Sequence, residues 1–102
     1  MPSKWNVVRS NAAINDIEAI WRYLFEIDET VAGRFLDRID AMATTLVQFP
    51  ERGALREFIA PGVRGLLLSP WLILYRVNRA TQAVEIVRVV DGRQNLSDLS
   101  PA

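Results

Sequence analysis

Residues 63–93, VRGLLLSPWLILYRVNRATQAVEIVRVVDGR, decide the fold. Valine, isoleucine, leucine, tyrosine and tryptophan dominate this stretch, and such side chains suit a pleated, half-buried surface. Ser69-Pro70 breaks the first apolar run, because proline lacks the N–H that a strand ladder needs. Asn78 to Gln82 breaks the second with small and polar residues that suit a hairpin loop. The runs between the breaks, 71–77 and 83–90, are nearly continuous in apolar character and read as central strands. Strict alternation places Trp71, Ile73, Tyr75 and Val77 on one face, with Leu72, Leu74 and Arg76 on the other. In the last strand it places Arg88 on one face with Val84, Ile86 and Val90. Arginine is rarely buried unpaired, so Arg64, Arg76, Arg88 and Arg93 belong at strand ends, at an edge or on an open face.

Upstream, residues 4–9 (KWNVVR) read as a short first strand, and Ser10 or Asn11 offers a cap to a following helix. From residue 12 to about 27, Ile14, Ile17, Ile20, Trp21, Leu24 and Ile27 fall at helical spacing. Asp16 is placed in the first turn, against the positive end of the helix dipole. A polar break follows, with Thr30 as cap. A second helix then carries Val31, Phe35, Ile39, Met42 and Leu46 on one face and ends at Phe49-Pro50. So short a link predicts an antiparallel helical hairpin. Residues 51–62 read as a loop, 93–99 as a single helical turn, and 100–102 as a frayed end. The expected fold is α+β, strand–helix–helix–strand–strand–strand, with the hairpin packed on a small, mostly antiparallel sheet. All 102 residues form one domain, of a size that supports one core.

The formal net charge is zero. Residues 1–50 hold five Lys/Arg against seven Asp/Glu, and 51–102 hold seven against five, so the halves carry −2 and +2. The positive half is the sheet half, far from the basic balance of a dedicated DNA-binding domain. Apolar residues make up 50% of the chain, which fits either a partner-covered surface or scattered exposed side chains. Cysteine and histidine are both absent, which removes disulfides, thiol nucleophiles, Ser–His triads and the commonest general base. No signal peptide or membrane span is read, and a cytoplasmic location is the default. No metal or other cofactor is expected.

The arginines are the strongest functional candidates, because a guanidinium matches phosphate or carboxylate geometry. If they converge on an open face, Arg64, Arg76, Arg88 and Arg93 form a basic concavity with Trp71 or Tyr75 beside it. The alternative is a set of solvated arginines paired with Glu85 or Asp91. The carboxylates at Glu26, Asp28 and Glu29, and at Asp37 and Asp40, read as solvated helix-surface charge.

The segments AINDIEAIWRYL (13–24), LVQFPERG (46–53), VRGLLL (63–68), WLILYRV (71–77) and VEIVRVVDGR (84–93), in this order, resemble the ParE/RelE toxins of bacterial toxin–antitoxin (plasmid stabilisation) systems. The resemblance implies the same fold and a cognate antitoxin whose C-terminal segment folds onto the toxin through helix-groove and sheet-edge contacts. RelE-like members cut ribosome-bound mRNA with basic residues and a histidine or tyrosine near the end of the last strand. Carried onto this chain, the cleavage residues are Arg64, Arg88 and Arg93, but Asp91-Gly92-Arg93 stands where histidine is common. ParE-like members inhibit DNA gyrase by binding and need no catalytic residue. This sequence looks closer to them, and the converging arginines and aromatics read above make Arg64, Trp71, Tyr75, Arg76, Arg88 and Arg93 the candidate target contacts. An mRNA endoribonuclease and a non-toxic antitoxin-binding relic are the alternatives.

Overall fold

The computed structural model describes residues 5–93, and every statement of contact below concerns these. The chain begins with strand β1 (Asn6–Arg9), then helices α1 (Asn11–Ile27) and α2 (Glu29–Gln48). Strands β2 (Ala54–Leu55), β3 (Arg64–Leu68), β4 (Trp71–Asn78) and β5 (Ala83–Asp91) follow.

Local chemistry sets the helix ends. Ser10 caps α1, its Oγ accepting from the Ala13 N–H at 3.0 Å and donating to the Val87 carbonyl at 2.9 Å. One residue serves both helices at the hairpin link. The Asp28 backbone N–H closes α1 onto the Leu24 carbonyl, and its carboxylate caps α2 by accepting from Thr30 N and Val31 N. The expected cap, Thr30, therefore lies inside α2. Asp28 takes the position because its carboxylate reaches two free N–H groups at once. Glu18 and Arg22 pair along the exposed face of α1.

The sheet runs in the order β1-β5-β4-β3-β2, with β1 parallel to β5 and the other neighbours antiparallel. β2 corrects the expectation of a plain loop over 51–62. Two residues, Ala54 and Leu55, pair with Gly65 and Arg64, too short a run to show as a strand pattern.

Both faces of the sheet carry a core. Facing the helices, Ile73, Tyr75, Val84, Ile86 and Val89 pack with Ala13, Ile17, Phe35, Ile39, Met42 and Leu46. Full burial of each large apolar side chain contributes roughly 1.5–3 kcal/mol. On the opposite face, Leu72, Leu74, Val87 and Val90 pack under Ile59 and Val63. The face expected to be open is thus covered by the chain between β2 and β3. Ile14, Ile27 and Val31, expected on the apolar stripes, are exposed, whereas Ile17, Ala32, Phe35, Ile39, Met42 and Leu46 are buried as expected and Ala13 joins them. Small residues let the helix backbones approach their neighbours closely.

β4 keeps the expected alternation, but β5 does not. A bulge between the Leu74 and Tyr75 pairings sets Ile86 opposite Tyr75 and Arg88 opposite Leu74. Val87 and Val90 consequently lie on one face, with Val84, Ile86 and Val89 on the other. The expected common face for Val84, Ile86, Arg88 and Val90 is corrected, because the bulge shifts the phase halfway along the strand.

Candidate functional site

The corner after α2, residues 49–53, is fastened to the sheet at three points. Tyr75 is fully buried in the middle of β4, and its Oη accepts from the Gly53 N–H at 2.7 Å. Arg64, at the start of β3, donates from Nη1 to the Gly53 carbonyl at 2.8 Å and the Glu51 carbonyl at 3.2 Å. The Glu51 carboxylate pairs with Arg79 of the β4–β5 turn and lies 3.8 Å from Arg64 Nη2. Gly53 is required by close approach. A Cβ there would stand 2.7 Å from Tyr75 Oη and 2.8 Å from the Gly65 carbonyl oxygen. Burial pushes the Tyr75 phenol above its ordinary pKa of 10.0, against the opposing pull of the Gly53 hydrogen bond and of Arg64 and Arg52.

Two expected contacts change role here. Tyr75 has no exposed surface, and its hydroxyl positions the corner through Gly53. Arg64 holds the corner's carbonyls while keeping about a fifth of its side chain exposed. Beside them Phe49 is 63% exposed and lines an open cleft with Thr45, Gln48, Pro50, Glu51 and Arg52.

Arg88 is engaged elsewhere. Its Nε and Nη2 donate to the two carboxylate oxygens of Asp16 at 2.7 and 3.1 Å, and the Val89 N–H donates to the same carboxylate at 2.9 Å. Asp16 therefore tethers α1 to the bulge of β5, which corrects its expected role as a first-turn dipole partner. The Asp16 hydrogen bonds raise the Arg88 pKa above its ordinary value. Arg93 closes on Asp91 at the end of β5, as one sequence reading anticipated, and holds that carboxyl down to about 2. Arg76 reaches the Pro61 carbonyl at 3.5 Å on the loop-covered face, and Trp71 packs edge-on against Phe35 at 6.0 Å.

The four arginines do not converge. Arg88 serves α1, Arg64 the corner, Arg76 the loop and Arg93 its own strand end, so the basic concavity that convergence would have made is not formed, and Arg93 takes the alternative of pairing with Asp91. Sequence reading missed Glu51, Arg52, Gly53, Arg79 and Asp16 as partners. The signal for the first three was the segment FPERG, whose glycine ends a helix-stop motif just before the strand region.

Among the described residues, a strand edge and an apolar groove are left uncovered. β2 covers only Arg64 and Gly65 of β3, so Leu66–Leu68 keep an open outer edge beside a cleft lined by Arg38, Met42, Thr45 and Arg52. Between β1 and the helical hairpin, Arg9, Ile14, Trp21 and Leu36 line a mostly apolar groove.

A helical hairpin on one face of a mixed sheet, with a fastened corner and an open strand edge, defines a small α+β protein of the fold shared by ParE and RelE toxins. Two solved structures of low identity share that fold. The RelBE2 toxin–antitoxin complex of Mycobacterium tuberculosis aligns at TM-score 0.60 and 18% identity over 87% of this chain and 99% of that one. A mutant of the E. coli toxin RelE in the free state aligns at 0.58 and 17% over 87% and 84%. The model of the ParE toxin of the type II toxin–antitoxin system parDE matches residues 7–96. The toxin ParE3 of Caulobacter vibrioides is 35% identical over 92 residues, 89% of this chain and 90% of that protein. A chain of the chromosomal ParDE system of P. aeruginosa aligns at TM-score 0.69 and 27% identity, covering 85% of this chain and 95% of that one. This chain belongs to the ParE toxin family of type II toxin–antitoxin systems.

Proposed function

We propose that this toxin acts in the cytoplasm by occupying DNA gyrase rather than by cutting RNA, and that a cognate antitoxin neutralises it by covering its open surfaces. One observation carries the choice of mechanism. Arg88 is committed to Asp16, and the phenol nearest Arg64 is fully buried and bonded to Gly53. An RNA-cleaving site needs a proton donor within reach of the leaving oxygen, and the loss of one costs about 10²–10⁴ in rate. The full sequence holds no histidine or cysteine to supply it.

The antitoxin is placed on the outer edge of Leu66–Leu68 and the groove at Ile14, Trp21 and Leu36. An added strand would satisfy the free backbone groups of the edge, and a helix would bury the groove's apolar side chains. A supercoiling assay with purified components tests the gyrase reading: inhibition at micromolar toxin, relieved by antitoxin, is expected. Undiminished supercoiling, with new mRNA ends on translating ribosomes in primer extension, would replace it by the endoribonuclease reading.

A further inference from the structure

We propose that Arg64 and Arg79, at the corner after α2, form a carboxylate-binding site which Glu51 occupies as an internal stand-in, and that an acidic segment of a partner polypeptide displaces it. The two arginines come from different elements, β3 and the β4–β5 turn, and both face the one Glu51 carboxylate. That carboxylate satisfies them unequally. It pairs closely with Arg79, but Arg64 Nη2 stands 3.8 Å from it, beyond hydrogen-bond reach. The Arg64 fork is meanwhile fixed from behind by its Nη1 bonds to the Glu51 and Gly53 carbonyls, and Gly53 is fixed by Tyr75. The side chain is thus held in place with its Nη2 near the half-exposed Glu51 carboxylate, a geometry that lowers the ordering cost of binding.

Arg52, next in the chain to Glu51, adds a third positive charge close enough to act on Tyr75 beside Arg64. Among the described residues, Glu51 is the one carboxylate ion-paired with this cluster, which leaves it locally cationic in a chain of zero net charge. Glu51 itself shows which anion the pair accepts. Nucleic acid is disfavoured as the occupant, because a polyanion backbone requires a row of cations and a basic balance, whereas this cluster is compact and the sequence pI is about 6.2. The open cleft at Thr45, Gln48 and Phe49 adjoins the site and gives an incoming peptide an apolar footing.

The site goes beyond the toxin reading, since its test needs neither gyrase nor antitoxin. The full chain, labelled with nitrogen-15, is titrated with an oligoglutamate peptide while the arginine Nε–Hε signals are followed by NMR. The Arg64 and Arg79 signals are expected to shift, with binding weakened by added salt. Glu51→Gln removes the internal competitor and tightens binding about three- to ten-fold, whereas Arg79→Gln weakens it about ten-fold. Glu18→Gln, which makes the same change of net charge on α1, leaves it unchanged. Three results would each overturn the proposal: unmoved Arg64 and Arg79 signals, equal effects of Glu51→Gln and Glu18→Gln, or tighter binding of an oligothymidylate than of the peptide through the same arginines.

Discussion

Replacing Tyr75 by phenylalanine removes one oxygen atom and tests how the corner is held. The ring stays in the core between α2 and the sheet, so no cavity larger than a hydroxyl is made. The loss falls on the Gly53 N–H, a buried donor whose acceptor at 2.7 Å disappears. A buried donor left without a partner costs about 1–3 kcal/mol. For a domain of this size each kcal/mol moves the midpoint by roughly 4–8 °C, so Tyr75→Phe is expected to melt about 4–24 °C below the parent. Calorimetry measures this directly. Amide exchange adds a local readout, with Gly53 losing protection while the β4–β5 amides keep theirs.

The hydroxyl also ties stability to pH. Its pKa is raised in the fold, so the unfolded chain releases the proton first as pH rises. The phenol's contribution is complete below about pH 10 and is lost as pH climbs through the raised folded value. Tyr75→Phe should abolish that part of the alkaline loss. A variant that melts within about 1 °C of the parent and keeps Gly53 protected would refute the reasoning, since 1–3 kcal/mol cannot be hidden in so small a shift.

Gly53→Ala should be at least as damaging, because its Cβ would meet the Gly65 carbonyl as well as Tyr75 Oη. Normal expression and melting of that variant would show that the corner yields. Asp16→Ala leaves the Arg88 guanidinium and the Val89 N–H without their shared acceptor, and about 1–3 kcal/mol of destabilisation is expected by urea unfolding. Asp28→Ala removes the α2 cap for about 1 kcal/mol, checked the same way. The Asp91 carboxyl, held at about 2 by Arg93, contributes stability above the ordinary carboxylate range and loses it as pH falls through about 2. In Arg93→Ala its NMR titration should return towards about 3.9, and an unchanged midpoint would dismiss the pair.

The order of elements was legible in the sequence for a physical reason. The helical hairpin and three of the strands announce themselves by period, since each must bury one face of known spacing, and the breaks at Phe49-Pro50 and Ser69-Pro70 are properties of proline itself. Ordered motifs along most of the chain carried the family as well. The site was less legible. Which arginine faces which carboxylate depends on register, and a single bulge in β5 turned Arg88 from an expected surface residue into the partner of Asp16, 72 positions away. A two-residue strand and a second apolar layer, built by Ile59 and Val63, leave almost no periodic trace.

What the sequence determined by itself was the pattern of faces to be buried and the absence of histidine and cysteine, because both are properties of single residues and their spacing. What only the tertiary structure decided was the meeting of Glu51, Gly53, Arg64, Tyr75 and Arg79. These come from a corner, two strands and a turn. Their contacts exist only once the sheet has set its register and closed the corner against it.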